Sequence, residues 1–353
     1  MTWAGGGNVH PLVALATQLI ARGHDVRALG SGDLAPRFEA DGISFRPNDS
    51  GFVCAASDVI AETDRERTDV VVVDFMLPEA MCGAESTGVP AVAFVHTLYT
   101  NFALGDPSPM SLFVDVAKIN ALRGDLGLDP VDEVTDLLDN ATRVFIGTVP
   151  EFDGADGPLP ENVAFIGPVV EDVGPDTGWT PPWPNSDVPL VVVSLGSTPM
   201  DEAPVVQRTL DALAGLDAHV LVTLGEHLYP AAFDTPDNAV VSGYVRHAAV
   251  LPHAHVFVTH AGLSGIGVAL SLGVPMVCVP LGRDQPGNAA RVDAAGAGRT
   301  VAPDAPGNEL RSAVHAVLDD AAYRVAAERM SSVIRGYGNG SRAVDELEQL
   351  LPS

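Results

Sequence analysis

Apolar residues fall along this chain in two kinds of run. In the first half short continuous blocks recur: Asp25–Leu29 (DVRAL), Asp69–Asp74 (DVVVVD), Val89–Val95 (VPAVAFV) and Arg143–Gly147 (RVFIG). A continuous block of this length predicts a strand buried on both faces, as in a parallel sheet. Between the blocks, apolar residues recur three and four apart over Pro11–Arg22 and Pro78–Ser86, which predicts amphipathic helices. Each opens on a proline, and Gly23 stops the first. The alternation predicts a doubly wound α/β domain.

The pattern lapses from Gly167 to Pro189, a stretch rich in Pro, Gly and Asp that reads as a surface linker. It restarts with strand-like blocks at Leu190–Ser197, His219–Gly225, Ala239–Tyr244, His255–His260 and Pro275–Pro280, with a helix near Ala203–Ala214. Helical periods close the chain at Glu309–Leu318, Ala321–Ile334 and Arg342–Leu351. The expected organisation is an N-terminal domain over 1–166, a linker over 167–189, a C-terminal domain over 190–337 and a returning helix over 338–353. Two similar halves around a cleft are expected rather than one large sheet. Only Met1–Trp3 precede the turn AGGGN, so the first strand reads as clipped, by a misplaced start codon or by real loss.

Composition narrows the field. The chain has 353 residues, 19 basic against 46 acidic, a net charge of −27 and a single lysine, Lys118. Such a charge argues against nucleic acid or an anionic membrane surface as partner. No apolar run approaches the ~18 residues of a membrane span. The N-terminus lacks the pattern of a signal peptide, so a cytoplasmic protein is expected. Cys54, Cys82 and Cys278 are scattered without zinc-ligand spacing and read as buried free thiols.

The most informative stretch is Thr259–Arg299. A strand ends at His260, Ala261 and Gly262 turn the chain, and Ser264 and Gly265 open a helix. The exposed N–H groups and dipole of such a helix start suit a diphosphate, and His260 can donate a hydrogen bond to it. A second strand ends in Pro280, and the loop beyond presents Asp284 and Gln285, whose acceptors and donors match vicinal sugar hydroxyls.

These residues, His260-x-Gly262, Gly273-Val274-Pro275, Pro280, Asp284-Gln285, Asn288 and Ala289, closely resemble the donor-site signature of nucleotide-sugar glycosyltransferases of the GT-B fold. The nearest group is the bacterial macrolide and antibiotic glycosyltransferases, relatives of the UDP-glycosyltransferases. The resemblance implies two Rossmann-like domains facing a cleft. Val193–Thr198 resembles the family's phosphate-facing turn, with Ser197 and Thr198 as hydroxyl donors. Ser242–Ala254 resembles its base-binding loop, where the backbone around Val245 and Arg246 meets the pyrimidine. Many relatives hold ribose hydroxyls with an acid where this chain has Val268, which favours a dTDP-sugar over a UDP-sugar without excluding either.

Gly5–Gly30 resembles the family's opening strand–turn–helix, usually G-H-V-N-P. Here it reads Gly7-Asn8-Val9-His10-Pro11, so Asn8 stands where the family's catalytic base stands. Asp74 matches the acid that orients the base. An imidazole suits the base role because it titrates near neutrality. His10 is the expected base, with His96 and a histidine-free mechanism as alternatives. Asn8, His96, Tyr99 and Phe102 are expected to line the acceptor site, with Leu98 and Phe113 as further apolar candidates.

The resemblance implies an inverting, metal-independent glycosyltransferase without a cofactor, moving a sugar from a dTDP- or UDP-sugar to an apolar natural-product acceptor, a deoxysugar being favoured. Two other readings stay open: a MurG-like N-acetylglucosamine transferase, and a catalytically silent homologue that assists a partner enzyme. The sequence leaves monomer or homodimer open.

Overall fold

The fold is taken from a computed structural model, which describes residues 1–3, 5, 7–51, 53–103, 114–171, 179–183, 187–196 and 198–352. The chain divides into two compact units, one of Met1–Val169 with Tyr337–Ser353, the other of Val170–Gly336.

The first unit runs α1 (Val9–Ala21), β1 (Arg27–Gly30), α2 (Ala35–Glu39), β2 (Ser44–Pro47), α3 (Ala56–Arg65), β3 (Val71–Asp74), α4 (Pro78–Thr87), β4 (Ala91–Val95), α5 (Tyr99–Ala103), α6 (Val116–Asp125), β5 (Arg143–Ile146), α7 (Pro150–Asp153) and β6 (Val163–Phe165). Strands β3-β4-β5-β6 pair in that order and β1 pairs with β2, all in parallel. The slot between β1 and β3 is filled by Met1–Trp3. The Thr2 N–H donates to Leu29 O at 3.2 Å, the Met1 amino group donates to Val72 O at 2.6 Å, and the Asp74 N–H donates to Met1 O at 3.0 Å. Three residues thus do the pairing of the expected first strand.

The valine runs explain why this sheet is covered twice. Side chains alternate across a strand. Val71, Val73, Ala93, Val95, Val144 and Ile146 join one buried cluster, with α4 residues such as Ala80 and Ala84. Val92, Phe94 and Phe145 join another, with Leu12 and Leu15 of α1. Helix α4 opens on Pro78 and stops at Gly88, which takes φ 70° as left-handed helix caps do. Inside it, Gly83 lets α3 approach: a Cβ there would lie 2.6 Å from Ala56 O.

The second unit runs β7 (Leu190–Ser194), α8 (Ala203–Leu213), β8 (His219–Thr223), β9 (Ala239–Ser242), α9 (His247–Val250), β10 (Val256–Thr259), α10 (Leu263–Ser271), β11 (Met276–Cys278), α11 (Gln285–Ala294), β12 (Gly298–Thr300), α12 (Gly307–Asp319) and α13 (Ala321–Arg335). Its six strands pair in parallel in the order β12-β11-β10-β7-β8-β9. The chain therefore builds outward from β7 through β8 to β9, then crosses to the other side of β7 and builds through β10 to β12. The order reverses between β7 and β10, and in open α/β sheets ligands bind at such a switch point, beyond the carboxyl ends of the strands.

The last helix, α14 (Ser341–Glu348), belongs to the first unit. Its apolar stripe, Ala343, Val344 and Leu347, closes the cluster over Phe94 and Phe145. Its polar side pairs with the end of α1: Arg22 reaches Asp345 at 2.7 Å and Glu348 at 2.8 Å. All three cysteines are buried and unpaired. Among the described residues, no helix is long and apolar enough to cross a membrane.

Candidate active site

At the switch point of the second sheet, β10 ends in Thr259 and three residues turn the chain into α10. Ala261 takes φ 68°, and its N–H donates to Thr259 Oγ1 at 3.2 Å. Gly262 is the N-cap of α10, and no side chain caps the helix there. The first N–H groups of the helix, around Ser264 and Gly265, therefore keep their donor capacity and their positive field. The imidazole of His260 lies over Gly262 so closely that a Cβ there would meet Nε2 at 2.6 Å, which restricts that position to glycine.

Burial pushes the pKa of His260 down, outweighing its contact with the Ser194 main chain and the charges of Asp284 and Glu202. The ring is therefore neutral at pH 7, able to donate one hydrogen bond. Its Nδ1 is buried and finds no hydrogen-bond partner within the protein. Across the switch point, after β7, a Cβ added at Gly196 would lie 3.9 Å from the same ring. Thr198 follows in that turn; Ser197 lies outside the described residues.

The loop after β11 completes this edge. Gly282 and Arg283 both have positive φ, 151° and 58°. The Arg283 guanidinium donates to Thr198 Oγ1 at 3.4 Å and so joins the loops after β7 and β11. The Asp284 carboxylate accepts from the Asn288 amide at 2.9 Å, and that amide also donates to Ala261 O at 3.0 Å. Gln285 is buried, and its Oε1 accepts from the N–H groups of Leu281 and Gly282 at 2.7 and 3.1 Å. Its amide oxygen thus shapes the loop, while Asp284 beside it is half-buried.

Beyond β8 and β9 lie two further groups. Glu202, buried at the start of α8, accepts from the Met200 N–H at 2.8 Å and hydrogen-bonds His227 from the loop after β8. Burial raises its pKa, but those partners outweigh it and hold the carboxyl below its usual range. In the expected base-binding loop, Arg246 is exposed and pairs with Glu171 at 3.5 Å, with Val245 half-buried beside it. His247 packs edge-on against Phe257, ring centroids 5.2 Å apart.

The first unit holds the second chemical cluster. Asp74, at the end of β3, is fully buried. Its Oδ2 accepts from the Asn8 amide at 2.7 Å and from the Thr2 hydroxyl at 3.4 Å. Its Oδ1 accepts from the Met76 N–H at 3.0 Å and faces His96 Nε2 at 3.1 Å. Burial alone would raise the Asp74 carboxyl, yet the His96 charge and these donors outweigh it and hold it below its ordinary value. The ring edge of His96 also packs on Phe75 with centroids 4.8 Å apart.

The expected catalytic pair is arranged differently. His10, the expected base, has its Nδ1 2.9 Å from the Arg37 guanidinium, and the imidazole that meets Asp74 is that of His96. Asn8, expected at the acceptor, is buried, with its amide donating to Asp74, to Thr2 Oγ1 at 3.0 Å and to Trp3 O at 2.9 Å. Tyr99, also expected at the acceptor, lies in the core, edge-on to Phe165. Its N–H and that of Thr100 are taken by the buried carboxylate of Asp153, at 2.6 and 3.1 Å. The Phe102 side chain and Phe113 lie outside the described residues.

Sequence reading missed Arg283, although it stands inside the quoted motif beside Asp284, because a lone exposed cation carries no pattern. It also missed Glu202 and His227, 25 residues apart and joined only by the β7–β8 pairing. Among the described residues, no group of three or more His, Cys, Asp or Glu is arranged to hold a metal ion.

Residues 137–337, more than half of the chain, match the family described as UDP-glucoronosyl and UDP-glucosyl transferase. The chain is 28% identical to 4'-demethylrebeccamycin synthase of Lentzea aerocolonigenes over 99% of its own length and 98% of that protein's. It is 32% identical to oleandomycin glycosyltransferase of Streptomyces antibioticus over 54% of its length and 44% of that protein's. Among solved structures it resembles the glycotransferase of kitacinnamycin, with a TM-score of 0.79 and 25% identity, over 98% of this chain and 96% of that one. The likeness spans both units, as the GT-B fold requires.

Proposed function

Because the chain belongs to the UDP-glucoronosyl and UDP-glucosyl transferase family and is a glycosyltransferase, we propose that it moves a sugar from a dTDP- or UDP-sugar to an apolar natural-product acceptor, with inversion at the anomeric carbon. The observation that carries this reading is the edge at the switch point of the second sheet. There an uncapped helix start, a neutral His260 with an unpartnered nitrogen, the Thr198 hydroxyl and the Arg283 guanidinium lie on adjoining loops.

In a transfer of this kind the acceptor atom bonds to the anomeric carbon as the bond from that carbon to the diphosphate oxygen breaks. The leaving diphosphate gains negative charge in the transition state, and donors fixed around it beforehand lower the barrier. The α10 N–H groups and the Arg283 charge supply that field. We propose that they do so without a metal ion or other cofactor. Asp284, half-buried at the start of α11, is assigned to the sugar hydroxyls, with Gln285 holding its loop in shape. The loop around Val245 and Arg246 is assigned to the base. The names of the two relatives, a rebeccamycin-type synthase and an oleandomycin transferase, support a natural product as acceptor.

Calorimetric titration with dTDP, UDP, thymidine and uridine tests the donor assignment. Binding of the diphosphates, with dTDP at least as tight as UDP and the bare nucleosides much weaker, is the expected result. Equal binding of nucleoside and diphosphate overturns the assignment of this edge to the diphosphate.

A further inference from the structure

Asn8 cannot accept a proton, since an amide has no basic atom at neutral pH, and its N–H groups are committed to Asp74, Thr2 and Trp3. His10 is poorly placed for the same task. General-base catalysis turns an imidazole into an imidazolium, and the Arg37 guanidinium 2.9 Å from its ring disfavours that second positive charge. His96 has the opposite surroundings. The fully buried carboxylate of Asp74 lies 3.1 Å from its Nε2, and the side chain keeps 21% exposure to solvent.

We infer that His96, held by Asp74, is the general base of the transfer, at the opposite oxygen of the carboxylate from Asn8. This rests on the glycosyltransferase reading above. In the tautomer that donates from Nε2 to the ionised Asp74 carboxylate, the lone pair of the neutral ring lies on Nδ1. The acceptor's X–H proton passes to Nδ1 while X bonds to the anomeric carbon. The electron pair of the broken carbon–oxygen bond leaves on the nucleoside diphosphate, and the imidazolium ion-pairs with Asp74 until its proton returns to solvent. Asp74 is a positioning residue: its Oδ2 is anchored by Asn8 and Thr2, and its Oδ1 by the Met76 N–H, which fixes the direction in which His96 is held. The same division of labour, base and buried orienting carboxylate, underlies the hydrolase triads.

The test compares the full-length protein with His96→Ala and His96→Gln, the latter retaining an amide that can reach Asp74. UDP-glucose and dTDP-glucose serve as donors. With rates read at about pH 8, the acceptors are para-cresol, which must lose its proton during attack, and para-nitrophenol, which is already largely ionised there. Both variants should lose ~100–10,000-fold in kcat with para-cresol, the usual worth of a general base. Donor KM should stay within about threefold, the loss with para-nitrophenol should be far smaller, and the acid limb of the kcat/KM profile should vanish.

Retention of kcat with para-cresol within about threefold, or an equal loss with both phenols in a variant that still binds UDP and dTDP, overturns the inference. If the wild-type protein accepts neither phenol, donor hydrolysis replaces transfer in the same comparison, water being the group deprotonated. Wild-type transfer with unaffected variants counts against His96 alone, whereas a wild-type protein that neither transfers nor hydrolyses either donor overturns the functional reading as well.

Discussion

The side-chain amide of Asn8 donates to Asp74 Oδ2 at 2.7 Å, across 66 residues of sequence and with both groups buried. An amide in this place neutralises no charge. It satisfies one oxygen of a buried carboxylate and leaves the other for the Met76 N–H and His96.

Asn8→Ala removes that donor and leaves Asp74 short of a partner in a site water does not reach. The cost of an unsatisfied buried acceptor predicts a loss of about 1–3 kcal/mol, read as a lower urea midpoint at unchanged slope. Asn8→Asp should cost more, because it sets a second carboxylate against the first.

Stability should fall with acid in two stages. His260 is a base with its folded pKa below the ordinary histidine value of 6.5, so the unfolded chain takes up its proton first. Its contribution is complete above that value and is lost as pH falls toward the folded pKa. Asp74 is an acid with its folded pKa below 3.8, so its contribution is present above that value and is lost as pH falls through the folded pKa. Urea midpoints across a pH series should be level near neutrality, then decline. His260→Gln should flatten the upper part of the decline and Asp74→Asn the lower part.

Asp153, from the end of α7, caps α5 by taking the N–H groups of Tyr99 and Thr100 at 2.6 and 3.1 Å. Helix caps are worth ~1 kcal/mol, and burial adds the cost of two stranded donors. Asp153→Ala is expected to lower stability by about 2–4 kcal/mol. Asp153→Asn, which keeps one acceptor oxygen, should lose roughly half as much. Urea melts of the two variants provide the comparison.

Arg283 is exposed, so its loss should leave stability almost unchanged. Hydrogen bonds to charged groups are worth about 1.5–3 kcal/mol, so Arg283→Gln should raise donor KM about tenfold or more. Initial rates at two salt concentrations supply a second readout: donor KM of the wild type should rise more steeply with salt than that of the variant.

Gly83→Ala pits two effects against each other. Removing a glycine from a helix interior gains roughly 0.5–1 kcal/mol. The added Cβ, however, would stand 2.6 Å from the main-chain oxygen of Ala56, and backbone cannot swing away as a side chain can. Overpacking costs typically 1–3 kcal/mol, so a net decrease in the melting temperature is expected.

The valine-rich blocks were legible as strands because a strand buried on both faces needs unbroken apolar sequence, and β3, β4, β7, β8 and β10 all fall inside blocks that the pattern marks. Helices α1 and α4 were legible from their period and their prolines, and α8 and α13 were placed without such boundaries. Short β2 (Ser44–Pro47) and β12 (Gly298–Thr300) were not, since edge strands with half-exposed or exposed residues carry no such run. The partners of Asp74 were hidden for a different reason. Asn8, Thr2 and His96 lie 66, 72 and 22 residues from it, and hydrogen bonds over such separations leave no local periodicity. Gln285 was legible as a motif residue, but only the fold directs its oxygen to the Leu281 and Gly282 N–H groups.

By itself, then, the sequence determined the two doubly wound halves and the family, because burial writes a periodic pattern and the family's motif sets small and polar residues at fixed spacings. Which histidine meets the buried carboxylate was decided only by tertiary structure. The β3–β4 pairing brings the end of β4, and His96 just beyond it, alongside Asp74, while Arg37 of α2 occupies His10. Local sequence fixes what a side chain is, and packing fixes which charge it faces.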